Sequence, residues 1–234
     1  MAVQRLDKII ASTGRWSRRE VKDLVRQGRV TVDGAAARSA EEKTDPETAE
    51  IAVNGERLTW RRYTWVMLNK PAGYLSATED GRGATVLDLL PQELQRQNLF
   101  PVGRLDKDSE GLLLFTNDGD LMQRLIHPKF EVSKLYRVTV QGDGQRGIPQ
   151  LQTMDTLEGE PIAPAQVELD REMGESAVLL ITIHQGKNRQ IRRMCRQAGL
   201  TVTRLERIAE HGIYLADLPC GKWRALTEEE RMRL

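Results

Sequence analysis

The segment GRLDKDSEGLLLF, residues 103–115, places two aspartates directly ahead of an apolar run. Ionised carboxylates at the mouth of a buried strand are costly to desolvate, so Asp106 and Asp108 require an explanation. A structural one is that aspartates near glycine and serine accept hydrogen bonds from turn amides. A chemical one is that a single carboxylate acts as nucleophile or base, or that the two form the acid–base pair of a glycosidase. Glycosidase pairs usually come from different elements, which weighs against the last interpretation.

Basic residues are concentrated in two parts of the chain, although its 234 residues carry a net charge of only +1. Residues 1–30 contain eight Lys or Arg and three acidic residues, and residues 186–207 contain seven and one. Such patches attract polyphosphates, because neutralising phosphates releases counterions. Alternatively, the two basic patches are simply the solvent-exposed faces of two helices, but such faces normally carry acidic residues among the basic ones. The charge distribution therefore favours a nucleic acid as partner.

The composition is typical of a globular protein that acts in the cytoplasm. Charged residues make up 29% and hydrophobic residues 39% of the chain. No apolar stretch reaches the roughly 18 residues that a membrane span needs, and the N-terminal residues run into charge instead of an apolar signal core. Cys195 and Cys220 lack metal-ligand spacing and are predicted to be free thiols. No long apolar stripe demands a partner chain, so we expect a monomer.

The first sixty residues predict a small unit of two helices and short strands. RLDKIIAS places its apolar residues on one helical face. Ser17 followed by Glu20 is a capping-box pattern that begins a second helix. Asp-Gly at 33–34 and Asn-Gly at 54–55 predict tight hairpin turns.

The rest of the chain contains strands and helices that do not alternate regularly. Strand patterns cover 66–68, 112–115, 134–141, 165–170 and 176–185, and helical patterns cover 85–91, 119–127 and 188–199. This order predicts an α+β fold with a mixed, mainly antiparallel sheet. We therefore expect two domains, 1–60 and 61–234.

The first domain resembles a known RNA-binding domain. Two helices with a basic face, followed by GRVTVDG, are similar to the domain named after ribosomal protein S-four, also called the αL motif. The resemblance covers residues 3–50. It implies that these residues face RNA: Arg5, Lys8, Ser17, Arg18, Arg19 and Arg26.

The second domain closely resembles pseudouridine synthases of the Rsu type, which modify ribosomal RNA. VGRLDKDSEGLLLFTNDGDL is similar to their catalytic loop and strand, and the likeness continues through MLNKPAGYLSAT, HPKFEVSKLYRVTV and residues 186–213 in the family's order. These enzymes break the glycosidic bond of uridine, rotate the uracil and rejoin it through carbon 5. Nothing is oxidised and no group is supplied, so the resemblance implies no cofactor and no metal. It implies ribosomal RNA, or an assembling ribosomal subunit, as the partner.

The resemblance also assigns roles to residues. Asp106 is the catalytic carboxylate, Tyr136 stacks on the target base, and Arg192 keeps Asp106 ionised. The alternative for Tyr136 is a position in the hydrophobic core. Lys134 lies on the same face of the strand, however, and a lysine there indicates that this end of the face is open to solvent. A phosphate contact is the alternative for Arg192. Asp108 is interpreted as a turn residue. The remaining residues expected to bind RNA are Arg104, Lys107, Lys187, Asn188, Arg189, Arg193 and Arg196.

Two other functions stay open at this point. The protein is either a synthase, an RNA-binding or ribosome-assembly factor without catalysis, or an enzyme that cleaves nucleosides or glycosides with Asp106 and Asp108. The sequence does not identify the uridine or the ribosomal subunit. It also leaves open whether Asp106 acts as nucleophile or base.

Overall fold

The computed structural model describes residues 3–79, 81 and 83–234, which form two compact units. The first unit contains the chain up to Thr64 together with Leu90–Leu99, and the second contains Trp65–Leu89 and Phe100–Leu234. The chain thus leaves the first unit after Thr64 and returns to it for one short segment. Within the described ranges, no helix is both long enough and apolar enough to cross a membrane.

The first unit combines helices with a small antiparallel sheet. Its elements are β1 (Gln4–Arg5), α1 (Leu6–Ser12), α2 (Arg18–Arg26), β2 (Val30–Val32), β3 (Ala35–Ala36), β4 (Lys43–Thr44), β5 (Ile51–Val53), β6 (Glu56–Arg57) and α3 (Gln92–Gln95). The sheet has the order β3-β2-β5-β6, and β1 pairs with β4. The apolar face predicted for α1 is confirmed, because Leu6, Ile9 and Ile10 are fully buried.

Local sequence signals set the ends of these elements. The Ser17 hydroxyl accepts from the Glu20 amide at 3.2 Å, and the Ser17 amide donates to the Glu20 carboxylate at 2.6 Å, which confirms the capping box. Asp33 and Asn54 have φ of 51° and 56°, and each is followed by a glycine that also has positive φ. This geometry is that of a tight hairpin turn, as the two dipeptides predicted.

The segment Leu90–Leu99 is built into the first unit. The Gln97 side-chain amide donates to the Thr13 carbonyl at 2.7 Å. Gly14 lies so close to this segment that a Cβ there would overlap the Glu93 carbonyl oxygen. The side chain of Leu99 is buried. Deleting residues 1–55 would therefore uncover apolar surface on this segment, so point substitutions test the first unit more cleanly.

The second unit is organised around one large sheet. Its strands are β7 (Trp65–Lys70), β8 (Phe100–Pro101), β9 (Glu110–Thr116), β10 (Lys134–Gln141), β11 (Thr156–Leu157), β12 (Glu160–Pro161), β13 (Gln166–Met173), β14 (Ser176–Ile183), β15 (Thr201–Glu210), β16 (Ile213–Tyr214) and β17 (Trp223–Ala225). Its helices are α4 (Gly119–Ile126), α5 (Gly144–Thr153), α6 (Gln190–Gln197) and α7 (Glu228–Met232). The sheet order is β13-β14-β10-β15-β9-β7-β17, with β16 beside β15 and β8 beside β9.

The predicted α+β fold with a mainly antiparallel sheet is confirmed. Among the pairings described in this sheet, β15 with β9 is parallel and the others are antiparallel. One predicted helix differs in type. The segment 85–91 forms a short 3-10 helix at Val86–Leu89 instead of an α-helix, because Asp88 accepts hydrogen bonds from Thr85 and Pro91 follows. The helix α5 was not predicted.

A lateral row of three residues crosses the centre of the sheet. Tyr136 on β10 pairs with Arg207 on β15, and Arg207 pairs with Gly111 on β9. Gly111 has φ of 102°, and a Cβ there would overlap the Arg207 carbonyl oxygen and lie 2.7 Å from its amide nitrogen. Only glycine permits this approach without strain. The row brings the loop ahead of β9 next to Tyr136.

Candidate active site

The loop that carries Asp106 is fixed by a buried lysine. The Lys70 ammonium, at the end of β7, donates to four carbonyl oxygens: Pro71 at 3.1 Å, Asp106 at 3.1 Å, Lys107 at 3.4 Å and Ser109 at 2.7 Å. Burial of this ammonium lowers its pKa to about 8, against the opposing charges of nearby carboxylates that include Asp106. Nothing in the sequence indicated that Lys70 holds this loop.

The NKPAGYLS segment contacts the loop at two further points. The Gly73 amide donates to the Lys107 carbonyl at 2.7 Å. The Ser76 hydroxyl donates to the Leu105 carbonyl at 2.7 Å and accepts from the Leu105 amide at 3.0 Å. The backbone on both sides of Asp106 is therefore held by hydrogen bonds, while its side chain is partly exposed. A carboxylate held in this way is positioned in advance for a reaction.

Asp106 and Tyr136 line the same cavity, which we call the Asp106 cavity. Its volume is about 330 Å³. Its lining also includes Arg104, Leu105, Ser109, Ile183, Gly186, Lys187, Asn188, Arg189, Gln190, Ile191 and Leu205. The structure thus brings together one carboxylate, one aromatic ring and several cations, which is the combination that the sequence predicted for a site on RNA.

Tyr136 is both buried and part of this cavity wall. Its side chain is 8% exposed, and it shares a face of β10 with Val138 and Val140, as a core residue would. Burial raises the pKa of the Tyr136 hydroxyl, and the nearby Arg207 charge opposes that rise. The ring therefore stays neutral at physiological pH and offers an apolar surface.

Arg192 pairs with Asp108, and this corrects the predicted ion pair with Asp106. Its guanidinium lies 3.3 Å from the Asp108 carboxylate and donates to the Asp108 carbonyl at 3.1 Å. Arg189 donates to both Asp108 oxygens, at 2.9 and 3.3 Å. Arg189 is the N-cap of α6 and has a left-handed φ of 47°. Arg192 follows three residues later on the same side of the helix, so both guanidinium groups reach Asp108.

The ion pairs of α6 leave Asp108 ionised. Partial burial acts to raise the pKa of Asp108, but the hydrogen bonds from Arg189 and the charge of Arg192 lower it overall. The charges of Lys70 and Arg189 both interact favourably with the Asp106 carboxylate. Asp108 therefore anchors α6 to the loop through Arg189 and Arg192, a contact that its interpretation as a turn residue did not include.

Acidic residues of the β11–β12 hairpin cover part of the basic face of α6. The Glu158 carboxylate accepts from Arg193 at 2.7 Å and from Arg196 at 2.6 Å. Glu160 accepts from Lys187 at 3.0 Å. Hydrogen bonding from Arg193 is the main cause of the lowered pKa of Glu158. The sequence predicted the cations as RNA contacts but gave no sign of these acids, which are far away along the chain.

In the first unit, the residues expected to face RNA fall into two groups. Arg5 and Arg18 both pair with Asp7, whose side chain is fully buried, at 3.0 and 2.9 Å. Burial acts to raise the pKa of Asp7, but these two arginines lower it overall. Ser17 is the helix cap, and Arg26 pairs with Asp23. Lys8 and Arg19 are exposed and make no ion pair among the residues described.

Comparison with known proteins decides the family. Residues 64–197 match the model of the RNA pseudouridylate synthase family, and residues 4–48 match the S4 domain. The chain belongs to the RNA pseudouridine synthase family. Enzymes of this family isomerise uridine to pseudouridine. The sequence's prediction of a synthase preceded by an RNA-binding domain is thereby confirmed.

Relatives of this synthase are similar over almost the whole chain. An uncharacterized RNA pseudouridine synthase of Bacillus subtilis is 43% identical over 97% of this chain and 96% of its own. The ribosomal large subunit pseudouridine synthase B of the same organism is 35% identical over 99% and 96%. The crystal structure of a pseudouridylate synthase covers 98% of this synthase and 99% of its own chain, with 30% identity and a TM-score of 0.66.

This isomerisation places chemical requirements on the site at which it occurs. The bond between C1′ and N1 breaks and the bond between C1′ and C5 forms, while a proton leaves C5 and N1 gains one, so no oxidant or external group is consumed. The reaction needs an ionised carboxylate near the sugar, a surface that holds the flipped-out base, and cations for the phosphates. The lining of the Asp106 cavity includes one carboxylate, Asp106, one aromatic ring, Tyr136, and the cationic side chains of Arg104, Lys187 and Arg189.

Proposed function

We propose that this synthase converts one uridine of ribosomal RNA to pseudouridine, with Asp106 as its catalytic carboxylate and Tyr136 as the stacking surface. The observation that carries the proposal is the Asp106 cavity, in which the carboxylate and the ring face one space rimmed by cations. The RNA class is suggested by the ribosomal large subunit enzyme that is 35% identical over nearly its full length. The substrate is free ribosomal RNA or an assembling subunit, and the enzyme acts as a cytoplasmic monomer without a cofactor.

Mapping of pseudouridines tests the proposal directly. Ribosomal RNA is compared from cells with and without the gene, and unmodified transcripts are then treated with the purified protein. We expect one uridine to be converted in both experiments, with no free uracil released. Release of uracil would instead indicate that the glycosidic bond is hydrolysed. Unchanged RNA in both experiments would contradict the proposed substrate class.

The first unit is expected to contribute RNA affinity through its unpaired cations. The double substitution Lys8→Ala and Arg19→Ala removes two exposed charges that make no ion pair among the described residues. We expect binding of ribosomal RNA to weaken by about tenfold at low salt, and the slope of log K against log salt to fall by about 1.4–1.8, since each of the two phosphate contacts contributes about 0.7–0.9. Filter binding at several salt concentrations measures both quantities.

The matched control for that pair is Arg57→Ala, which removes an exposed cation of β6 outside the residues expected to face RNA. It should leave both the affinity and the salt slope unchanged. Equal losses in the control and the double variant would mean that general charge, and not this helical face, accounts for binding.

The acidic hairpin is expected to compete with RNA for the basic face of α6. Glu158→Gln frees Arg193 and Arg196, which in the free protein share one carboxylate. We expect RNA affinity at low salt to rise by about threefold to tenfold, because exposed ion pairs are weak and phosphates replace them. The control is Glu168→Gln, an exposed acid on β13. Unchanged affinity for Glu158→Gln would remove Arg193 and Arg196 from the RNA-binding surface.

A further inference from the structure

A buried carboxylate in the first unit is shared by two arginine side chains. Asp7, in the first turn of α1, has a side chain with no exposed surface. Arg5 on β1 donates to this carboxylate as a fork, from Nε at 3.1 Å and from Nη2 at 3.0 Å. Arg18, the first residue of α2, donates from Nη2 to both oxygens, at 3.2 and 2.9 Å. The two guanidinium groups therefore lie next to each other, although their like charges would otherwise drive them apart.

Backbone contacts fix the positions from which these three side chains start. The Asp7 amide donates to the Ala40 carbonyl at 2.8 Å, and Arg5 lies in the pairing of β1 with β4. Arg18 directly follows Ser17, whose capping box begins α2. The carboxylate and both arginines are thus held in place before any ligand arrives, which lowers the entropy cost of binding through them.

Both guanidinium groups are partly exposed and keep donors that the protein does not use. The side chain of Arg5 is 42% exposed and that of Arg18 is 54% exposed. Within the described part of the chain, the hydrogen bonds of Arg5 involve Nε and Nη2, and those of Arg18 involve Nη2. The remaining donors are available to an anion, and the planar fork of a guanidinium group matches the oxygens of a phosphate.

Other charged groups of the first unit border this cluster. Glu41 accepts from Nη2 of Arg5 at 2.9 Å and pairs with Lys22 at 3.1 Å, and both Glu41 and Lys22 are exposed. The three cations and two carboxylates of the cluster give it a net charge of +1. Glu41, and not the buried Asp7, is the acid that an approaching anion would meet.

We propose that Arg5 and Arg18 clamp one phosphodiester group of RNA, and that Asp7 is a positioning residue that holds the two guanidinium groups side by side for it. A phosphodiester has two oxygens outside the chain of the nucleic acid, one for each guanidinium group. The inference rests on the proposed function for RNA as the ligand. It goes beyond that function because a buried acid, which by its charge alone would repel RNA, here favours binding.

Two acids that contact the same Nη2 atom of Arg5 provide the first test. Glu41→Gln and Asp7→Asn each remove one negative charge, so charge alone predicts tighter RNA binding by both variants. The clamp predicts opposite changes. In filter binding at about 0.15 M salt, we expect Glu41→Gln to bind ribosomal RNA about twofold to threefold more tightly, and Asp7→Asn to bind it about fivefold more weakly because the two arginines separate.

Tighter or unchanged binding by Asp7→Asn would overturn the proposal. Weaker binding by both variants would also overturn it, since the loss would then come from general damage to the first unit. Urea unfolding establishes beforehand that each variant is folded under the conditions of the binding experiment.

A substitution that keeps the charge decides the question even if Asp7→Asn does not fold. Arg18→Lys replaces the planar fork with a single ammonium group. We expect RNA binding to weaken by about fivefold, while the slope of log K against log salt stays within about 0.3 of wild type because the number of cations is unchanged. A role in stability alone would change the unfolding midpoint without this loss of affinity.

The matched control is Arg224→Lys in the second unit. Arg224 also holds one carboxylate with a fork, that of Glu230, with both distances at 2.7 Å. It is not among the residues expected to bind RNA, so its replacement should leave the affinity unchanged. Wild-type affinity for Arg18→Lys, or an equal loss in Arg224→Lys, would overturn the clamp.

Conversion of uridine on the same RNA separates this inference from the proposed function. If the wild-type protein converts no uridine of ribosomal RNA, yet Asp7→Asn and Arg18→Lys weaken binding as stated, the proposed substrate fails and the clamp stands. If the wild-type protein converts its uridine and Arg18→Lys binds as tightly as wild type, the clamp fails and the proposed function stands.

Discussion

Asp106→Asn is expected to lower pseudouridine formation by at least about a thousandfold while RNA affinity stays within about threefold of wild type. Both chemical roles open to Asp106, nucleophile and base, require an ionised oxygen, and the isosteric amide supplies neither. The loop itself should persist, because Lys70 binds the backbone carbonyls of Asp106 and its neighbours and not the carboxylate. Single-turnover conversion and equilibrium binding on the same ribosomal RNA measure the two quantities.

Asp108→Asn is the matched control, with the same change two residues further along the same loop. Its carboxylate pairs with Arg189 and Arg192, so the substitution loosens the contact between the loop and α6. We expect a reduced but measurable rate, lower by about tenfold, because position and not chemistry is altered. A rate for Asp108→Asn as low as that for Asp106→Asn, or near-normal conversion by Asp106→Asn, would contradict the assignment of the catalytic carboxylate.

Gly111→Ala is expected to destabilise the second unit by about 3–5 kcal/mol, at the upper end of the effects of single substitutions. The added Cβ would meet the backbone of Arg207 on the parallel neighbour β15, and neither strand can yield without breaking the central pairing. The positive φ of Gly111 adds strain for any residue with a side chain. Urea unfolding followed by circular dichroism measures the loss.

Gly119→Ala provides the comparison for this second effect. Gly119 begins α4, has no positive φ, and a Cβ there would meet nothing within 4 Å. Its replacement should be neutral or slightly stabilising, since alanine favours a helix over glycine. If both alanine variants unfold at the same urea concentration as wild type, the close approach of β9 and β15 is not what holds the row from Gly111 to Tyr136 in place.

The features that the sequence predicted well depend on residues close together in the chain. The capping box at Ser17 and the two glycine turns after Asp33 and Asn54 each involve at most four consecutive residues, so their hydrogen bonds form whatever surrounds them. The alternation along β10 likewise placed Tyr136 on the face that is buried. Asp106 ahead of an apolar strand was a recognisable candidate for the same reason.

The helix α5 shows where local patterns were insufficient. Its sequence contains Pro149 and two glycines, which argue against a helix. Both glycines are needed by the tertiary packing, because a Cβ on Gly144 would lie 2.5 Å from the Ala177 side chain and one on Gly147 would lie 2.6 Å from Leu200. Close packing of the helix against its neighbours thus outweighs the low intrinsic propensity of its residues.

By itself, the sequence determined the family and the RNA-binding unit, and it named Asp106 and Tyr136 as candidates for the site. Only the tertiary structure decided which charges meet: Arg192 binds Asp108, Lys70 holds the Asp106 loop, and Glu158 covers the arginines of α6. These partners are separated by some 35 to 85 residues along the chain. Residue types predict that a buried or crowded charge will be compensated, but strand order and helix orientation select the group that does so.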